Sequence, residues 1–136
     1  MDFGSREWML GGGTGQPPAM PMFSQGVKAG PLIFTAGHAA IDEKGQLVGA
    51  NDIRVQTEQT LKNIGSVLEN FGASFKDVVK VTIWITDYDN YAGMNEVYAK
   101  FFPEPRPPRA CVNSKLVPLL GDEFLVEIEA MAVVAE

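Results

Sequence analysis

The sequence predicts an α+β sandwich, with two helices laid on one face of a mixed β-sheet. Three observations carry this. Segments 52–71 and 89–102 space their apolar residues as helices do, and each stops at a residue that ends helices, Gly72 or Pro103. Segments 77–86 and 124–134 alternate apolar side chains at the period of a strand. Shorter extended pieces complete the order strand, strand, helix, strand, helix, strand, strand.

The first 19 residues carry Gly11, Gly12, Gly13 and Gly15, then Pro17 and Pro18. Such a stretch has little to bury, so residues 1–19 are expected to form a loosely ordered arm. The glycines do not make a phosphate loop: GxxxxGK[ST] is absent, GxGxxG fails at Pro18, and no predicted strand precedes them. Residues 20–136 are expected to form one domain, as a chain of 136 residues has material for a single core. Two short strands, 25–29 and 32–36, flank the turn Ala29-Gly30-Pro31, and Asp42-Glu43-Lys44-Gly45 is a second turn. The first helix places Leu61, Ile64, Leu68 and Phe71 in one stripe. The strand after it sets Val79, Val81, Ile83 and Ile85 on one face. In the second helix Tyr91, Met94, Tyr98 and Phe101 make the stripe. A short strand, 109–114, comes after the proline-rich turn.

The final strand puts Phe124, Val126, Ile128, Ala130, Ala132 and Val134 on the face that the helices cover. Its other face reads Leu125, Glu127, Glu129, Met131 and Val133, too apolar to stand in water. Trp84 projects from the corresponding face of its own strand. Two helices cover one side of a sheet, so a second copy of the chain is the expected cover for the other.

Composition removes several classes of function. A net charge of -6 and scattered Lys and Arg argue against a nucleic-acid surface. Cys111 is the single cysteine, which excludes an intrachain disulfide and paired-cysteine metal sites. No apolar run reaches the ~18 residues of a membrane span, and no signal-peptide pattern is present, so a cytoplasmic location is expected.

Candidate chemistry rests on few groups. His38 is the one histidine, and no GxSxG elbow or HExxH motif accompanies it, so its simplest role is a hydrogen-bonded structural one. Glu127 and Glu129, two apart, share the strand face away from the helices. A carboxylate among apolar neighbours needs an ion-pair partner, a place at the rim, or a function. Arg109 follows Arg106-Pro107-Pro108, a guanidinium on rigid backbone. It suits bidentate binding of a small carboxylate, or equally a salt bridge to one of those glutamates.

Several stretches recur in an ordered set: Phe23-Ser24-Gln25-Gly26-Val27, Phe34-Thr35-Ala36-Gly37, Gln56-Thr57-Glu58-Gln59, Asp77-Val78-Val79-Lys80-Val81, Asn95-Glu96-Val97-Tyr98 and Phe101-Phe102. Pro108-Arg109-Ala110-Cys111-Val112 and Val126-Glu127-Ile128-Glu129-Ala130 complete it. In this order they resemble the Rid family, the reactive-intermediate (imine) deaminases formerly called YjgF or UK114 proteins. The likeness spans about residues 20–134.

The resemblance implies a chorismate-mutase-like fold, a homotrimer, and sites in the clefts between subunits. It implies hydrolysis of an enamine or imine of an amino acid to a 2-oxo acid and ammonia, with no metal or organic cofactor. By family match Arg109 holds the substrate carboxylate and Glu127 positions and activates water. Asn95 lies near the site, and Gly37 and Cys111 line it with backbone groups. Well-studied deaminating members carry Tyr at the place of Phe23, Ser at that of Ala36, and often Gln at that of His38. Each missing hydroxyl costs about 1–3 kcal/mol of hydrogen bonding or changes which substrate fits. His38 is an alternative donor or proton relay there. Two other readings stay open: a non-catalytic binder of small carboxylic acids at the subunit clefts, and a pathway-specific relative acting on a larger intermediate. The ribonuclease or translation inhibitor described for some members is disfavoured by the acidic balance.

Overall fold

The computed structural model describes residues 4–118 and 123–135; the extreme ends of the expected arm and domain, 1–3 and 136, lie outside the described residues. Strands β1 (Arg6–Met9), β2 (Gly26–Ala29) and β3 (Leu32–Thr35) lead into helix α1 (Ile53–Asn70). Strand β4 (Val78–Ile85), helix α2 (Tyr91–Phe101), strand β5 (Arg109–Asn113) and strand β6 (Val126–Val133) complete the chain. The sheet runs β1-β2-β3-β6-β4-β5. Only β4 and β5 pair in parallel, so the mixed sheet expected from sequence is present, with α2 as the crossover. No helix among the described residues is long and apolar enough to cross a membrane.

Helix α1 begins where Asp52 leaves the helical region and its carboxylate accepts from the N–H groups of Arg54 and Val55. It ends as Gly72 takes φ +78° and its N–H donates to Glu69, while the Ala73 N–H reaches back to Leu68. That paired closure needs left-handed backbone, which glycine adopts without strain. The stripe Leu61, Ile64, Leu68 and Phe71 is buried, together with Met94 and Tyr98 of α2 and one face of β4 and β6. The opposite face of β6 stays open in the single chain, with Met131 and Val133 exposed and Glu127, Glu129 and Leu125 half-buried.

Three features depart from the sequence expectation. The arm is not loose throughout. Arg6–Met9 pairs antiparallel with β2, and Met9 is buried in the core. Glycines and prolines dominate the rest of the arm and mask that strand. Second, Val79 is exposed, and Val78 faces the core in its place. A bulge between Val78 and Lys80 inserts one residue into β4 against β6, which reverses the alternation at that end. Third, α1 buries Gln56, Thr57, Thr60 and Asn63 beside its apolar stripe.

Gln56 shows why a polar residue belongs there. Its Nε2 donates to the carbonyls of Gly49 and Glu123, and its Oε1 accepts from the Leu125 N–H at 2.8 Å. The side chain thereby ties the loop before α1 to the entry of β6. Gln56→Leu matches the volume but strands those backbone groups, so unfolding in urea should show a loss of about 2 kcal/mol.

Candidate active site

The functional groups named from sequence fall into three places. The first is built on β5. Arg109 is in register with Val81, a fully buried residue on the helix side of β4, so its side chain points toward α2. There Nη2 donates to the Tyr91 hydroxyl at 3.1 Å and to Oδ1 of Asn95. The guanidinium also lies 4.7 Å from the centre of the Tyr98 ring. Tyr91, Asn95 and Tyr98 come from successive turns of one helix face, which makes a three-point brace. Nε and Nη1 of Arg109 have no partner among the described residues, and no carboxylate pairs with the cation there. The salt bridge considered for Arg109 is therefore not formed among the described residues of one chain. Cys111, two residues on, lines the same cleft of 420 Å³. Burial pushes its thiol above the ordinary cysteine pKa, against the smaller opposing effect of Arg109, and so disfavours the thiolate.

The second place is the open face of the sheet. Glu127 is in register with Trp84, and Glu129 with Thr82, so the two carboxylates share that face as expected. Neither forms an ion pair among the described residues. Burial first, and Glu129 second, hold the Glu127 pKa above the usual carboxylate value. Gly37 packs directly against this group: a Cβ on it would lie 2.7 Å from Oε2. A larger residue there would have to displace the Glu127 carboxylate from this position.

The third place is a small, mostly apolar cavity of 170 Å³ that includes Phe23, Gly37 and His38 in its lining. His38 bridges to Ile128 through paired backbone hydrogen bonds, and its ring is buried. Nε2 lies 3.2 Å from the Gln25 carbonyl. A carbonyl only accepts, so Nε2 carries the hydrogen and is committed to it. Ala36, half-buried, donates its N–H to that same carbonyl. Burial lowers the His38 pKa from 6.5 to about 4, against the smaller opposing effect of the Gln25 hydrogen bond. The ring is neutral near pH 7, and the proton relay considered from sequence finds no support in this geometry.

This has a pH consequence. The folded pKa lies below the unfolded value, so the unfolded chain takes up the proton first. His38 should leave stability flat above pH 6.5 and reduce it as pH falls toward about 4. Urea melts between pH 7 and 5 should show a gentler slope in His38→Gln than in the original protein.

The structure thus gathers Arg109, Asn95 and Cys111 on the helix side, and Glu127 with Gly37 on the open side. Phe23 and His38 line the separate cavity, which Gly37 also borders. The residues that sequence reasoning missed are Tyr91 and Tyr98. Their i, i+7 spacing reads as core packing, and only the fold brings Arg109 against them.

Comparison with known proteins agrees with this architecture. The family model described as Endoribonuclease L-PSP matches residues 14–134. A RutC family protein of Pyrococcus horikoshii is 42% identical over 116 residues, covering 85% of this chain and 90% of that protein. The 3-aminoacrylate deaminase RutC of Acinetobacter baylyi is 36% identical over 118 residues, covering 87% of this chain and 91% of the relative. The crystal structure of RidA from an Antarctic Psychrobacter superposes with a TM-score of 0.82 at 31% identity, covering 93% of this chain and 99% of the other. With nearly the whole chain matched in sequence and in fold, the protein belongs to the Rid (YjgF) family.

Proposed function

We propose that the protein hydrolyses an enamine or imine of an amino acid to the 2-oxo acid and ammonia, at clefts between copies of a homotrimer. The observation that carries this is Arg109: a braced cation with open donors, facing a cleft and paired with no acid among the described residues. Such a group is suited to a substrate carboxylate. The deaminase name of the Acinetobacter relative supports the reaction class.

The chemistry asks little of the protein. Arg109 anchors the carboxylate and so fixes the neighbouring iminium carbon. Glu127 takes a proton from water as its oxygen bonds to that carbon, and returns the proton to the nitrogen. The C–N bond then breaks, the hydroxyl proton leaves with nitrogen as ammonium, and a C=O bond remains. Because Glu127 must be deprotonated to begin, its raised pKa sets an acid limb to activity above the ordinary carboxylate range.

Arg109 and Glu127 lie on opposite faces of one sheet, so a single chain cannot present both to one small molecule. A neighbouring copy seated on the open face of β6 supplies the missing half and covers Met131, Val133 and Trp84. Light scattering at micromolar concentration should give three times 14.8 kDa; a stable monomer would remove the composite site. The reaction itself is tested by ammonia release from an imine generated in the assay, measured above the spontaneous rate. Ligand binding without any such release would favour the non-catalytic reading. The family model is described as an endoribonuclease, and RNA cleavage by the assembled protein would favour that reading.

A further inference from the structure

One wall of the Arg109 cleft has no task in imine hydrolysis. Between β4 and α2 the chain makes a single tight turn, Tyr88–Asn90. Asp87 closes it: the carboxylate accepts from the Asp89 N–H at 2.8 Å and the carbonyl from the Asn90 N–H at 3.0 Å. The turn holds Tyr88 parallel to Tyr91, with ring centres 6.1 Å apart and planes 2° from parallel. Tyr91 in turn lies beside Arg109, whose guanidinium carbon is 5.8 Å from the ring centre. Two rings and a guanidinium therefore succeed one another along the cleft of 420 Å³.

In the single chain Tyr88 is 69% exposed although its position is fixed by the capped turn. A three-carbon imino acid held on Arg109 fills a small part of the space that one chain contributes and leaves that ring uncovered by ligand. A ligand carrying its own ring would bury it, and stacked aromatic pairs add stabilisation beyond the area they cover. Arg109 is the one cation among the residues lining the cleft, which matches a single carboxylate rather than a polyphosphate.

We propose that Tyr88 and Tyr91 make this cleft selective for carboxylates that carry an aromatic ring, with the carboxylate on Arg109 and the ring against Tyr88. The substrate class is then the imine of an aromatic amino acid. That identification rests on the deaminase reading, whereas selective binding of the ring-bearing 2-oxo acid does not.

The test uses the full-length protein and two probes, phenylpyruvate and pyruvate, followed by calorimetry. Phenylpyruvate should bind roughly tenfold more tightly, and Tyr88→Leu should remove about fivefold of that preference while leaving pyruvate unchanged. Leu keeps an apolar wall at an exposed position, so the fold is not at issue. In parallel, kcat/KM for the phenylalanine-derived imine should fall in Tyr88→Leu, and that for the alanine-derived imine should not. Equal affinity for the two acids, or equal weakening of both by Tyr88→Leu, would overturn the proposal even if deamination is robust. Tyr88-dependent binding of phenylpyruvate with no turnover of either imine would uphold the selective cleft and overturn the deaminase reading.

Discussion

Glu127→Gln is expected to lower imine hydrolysis at least ~100-fold, the low end of what a general base contributes. Glutamine keeps the length and most of the hydrogen bonding of glutamate but cannot accept the proton of the attacking water. Gly37 packs against the carboxylate, so the isosteric amide still fits where a bulkier change would not. Binding of 2-oxo acids should be largely kept, which places the loss in kcat rather than KM. The neighbouring Glu129 supplies an internal check. Its negative charge helps to hold the Glu127 pKa up, so Glu129→Gln should move the acid limb of the pH profile to lower pH without abolishing turnover. Full activity in Glu127→Gln would remove this residue from the chemistry.

Arg109→Lys is expected to weaken 2-oxo acid binding roughly 30-fold, the scale of one charge-assisted hydrogen bond. The charge is preserved, so the loss comes from geometry. Nη2 is occupied by Tyr91 and Asn95 while Nε and Nη1 remain available, and all of them lie in one rigid plane. An ammonium cannot serve the brace and the ligand from such fixed directions. Deamination should fall with binding, and oligomeric state should not change. Calorimetry with pyruvate checks it, and unchanged affinity in a properly assembled variant would leave Arg109 a structural role.

Much of this arrangement is legible in the residues, and the part that is not has a physical reason. Asp52 and Gly72 mark the ends of α1 because a helix terminus is a local problem that a neighbouring side chain or glycine solves. The two-sided apolar pattern of β6 is equally local, and it shows that a face needs cover without naming the cover. Val79 is misplaced by its alternation because a bulge is a property of two strands, and β6 lies some fifty residues downstream of β4. The strand in the arm has the same origin: Arg6–Met9 is extended because β2 receives it. Gln56 and Asn63 look like surface positions on a helical wheel until the distant carbonyls they serve are in place. At the site, Arg109 and Glu127 stand out as charges in confined surroundings. That they occupy opposite faces is set only by the β4–β5 and β4–β6 registers.

The claim that a site is completed by two copies is tested most directly by mixing two impaired variants. Arg109→Lys and Glu127→Gln chains, each assayed alone and then co-assembled in equal amounts, should together regain activity. In a ring of three, each site would draw Arg109 from one copy and Glu127 from the next, so random mixing rebuilds roughly a quarter of the sites. Recovery near that fraction is the predicted result. A mixture no more active than the two variants measured separately would mean that both residues serve one chain's own site, contradicting the composite site.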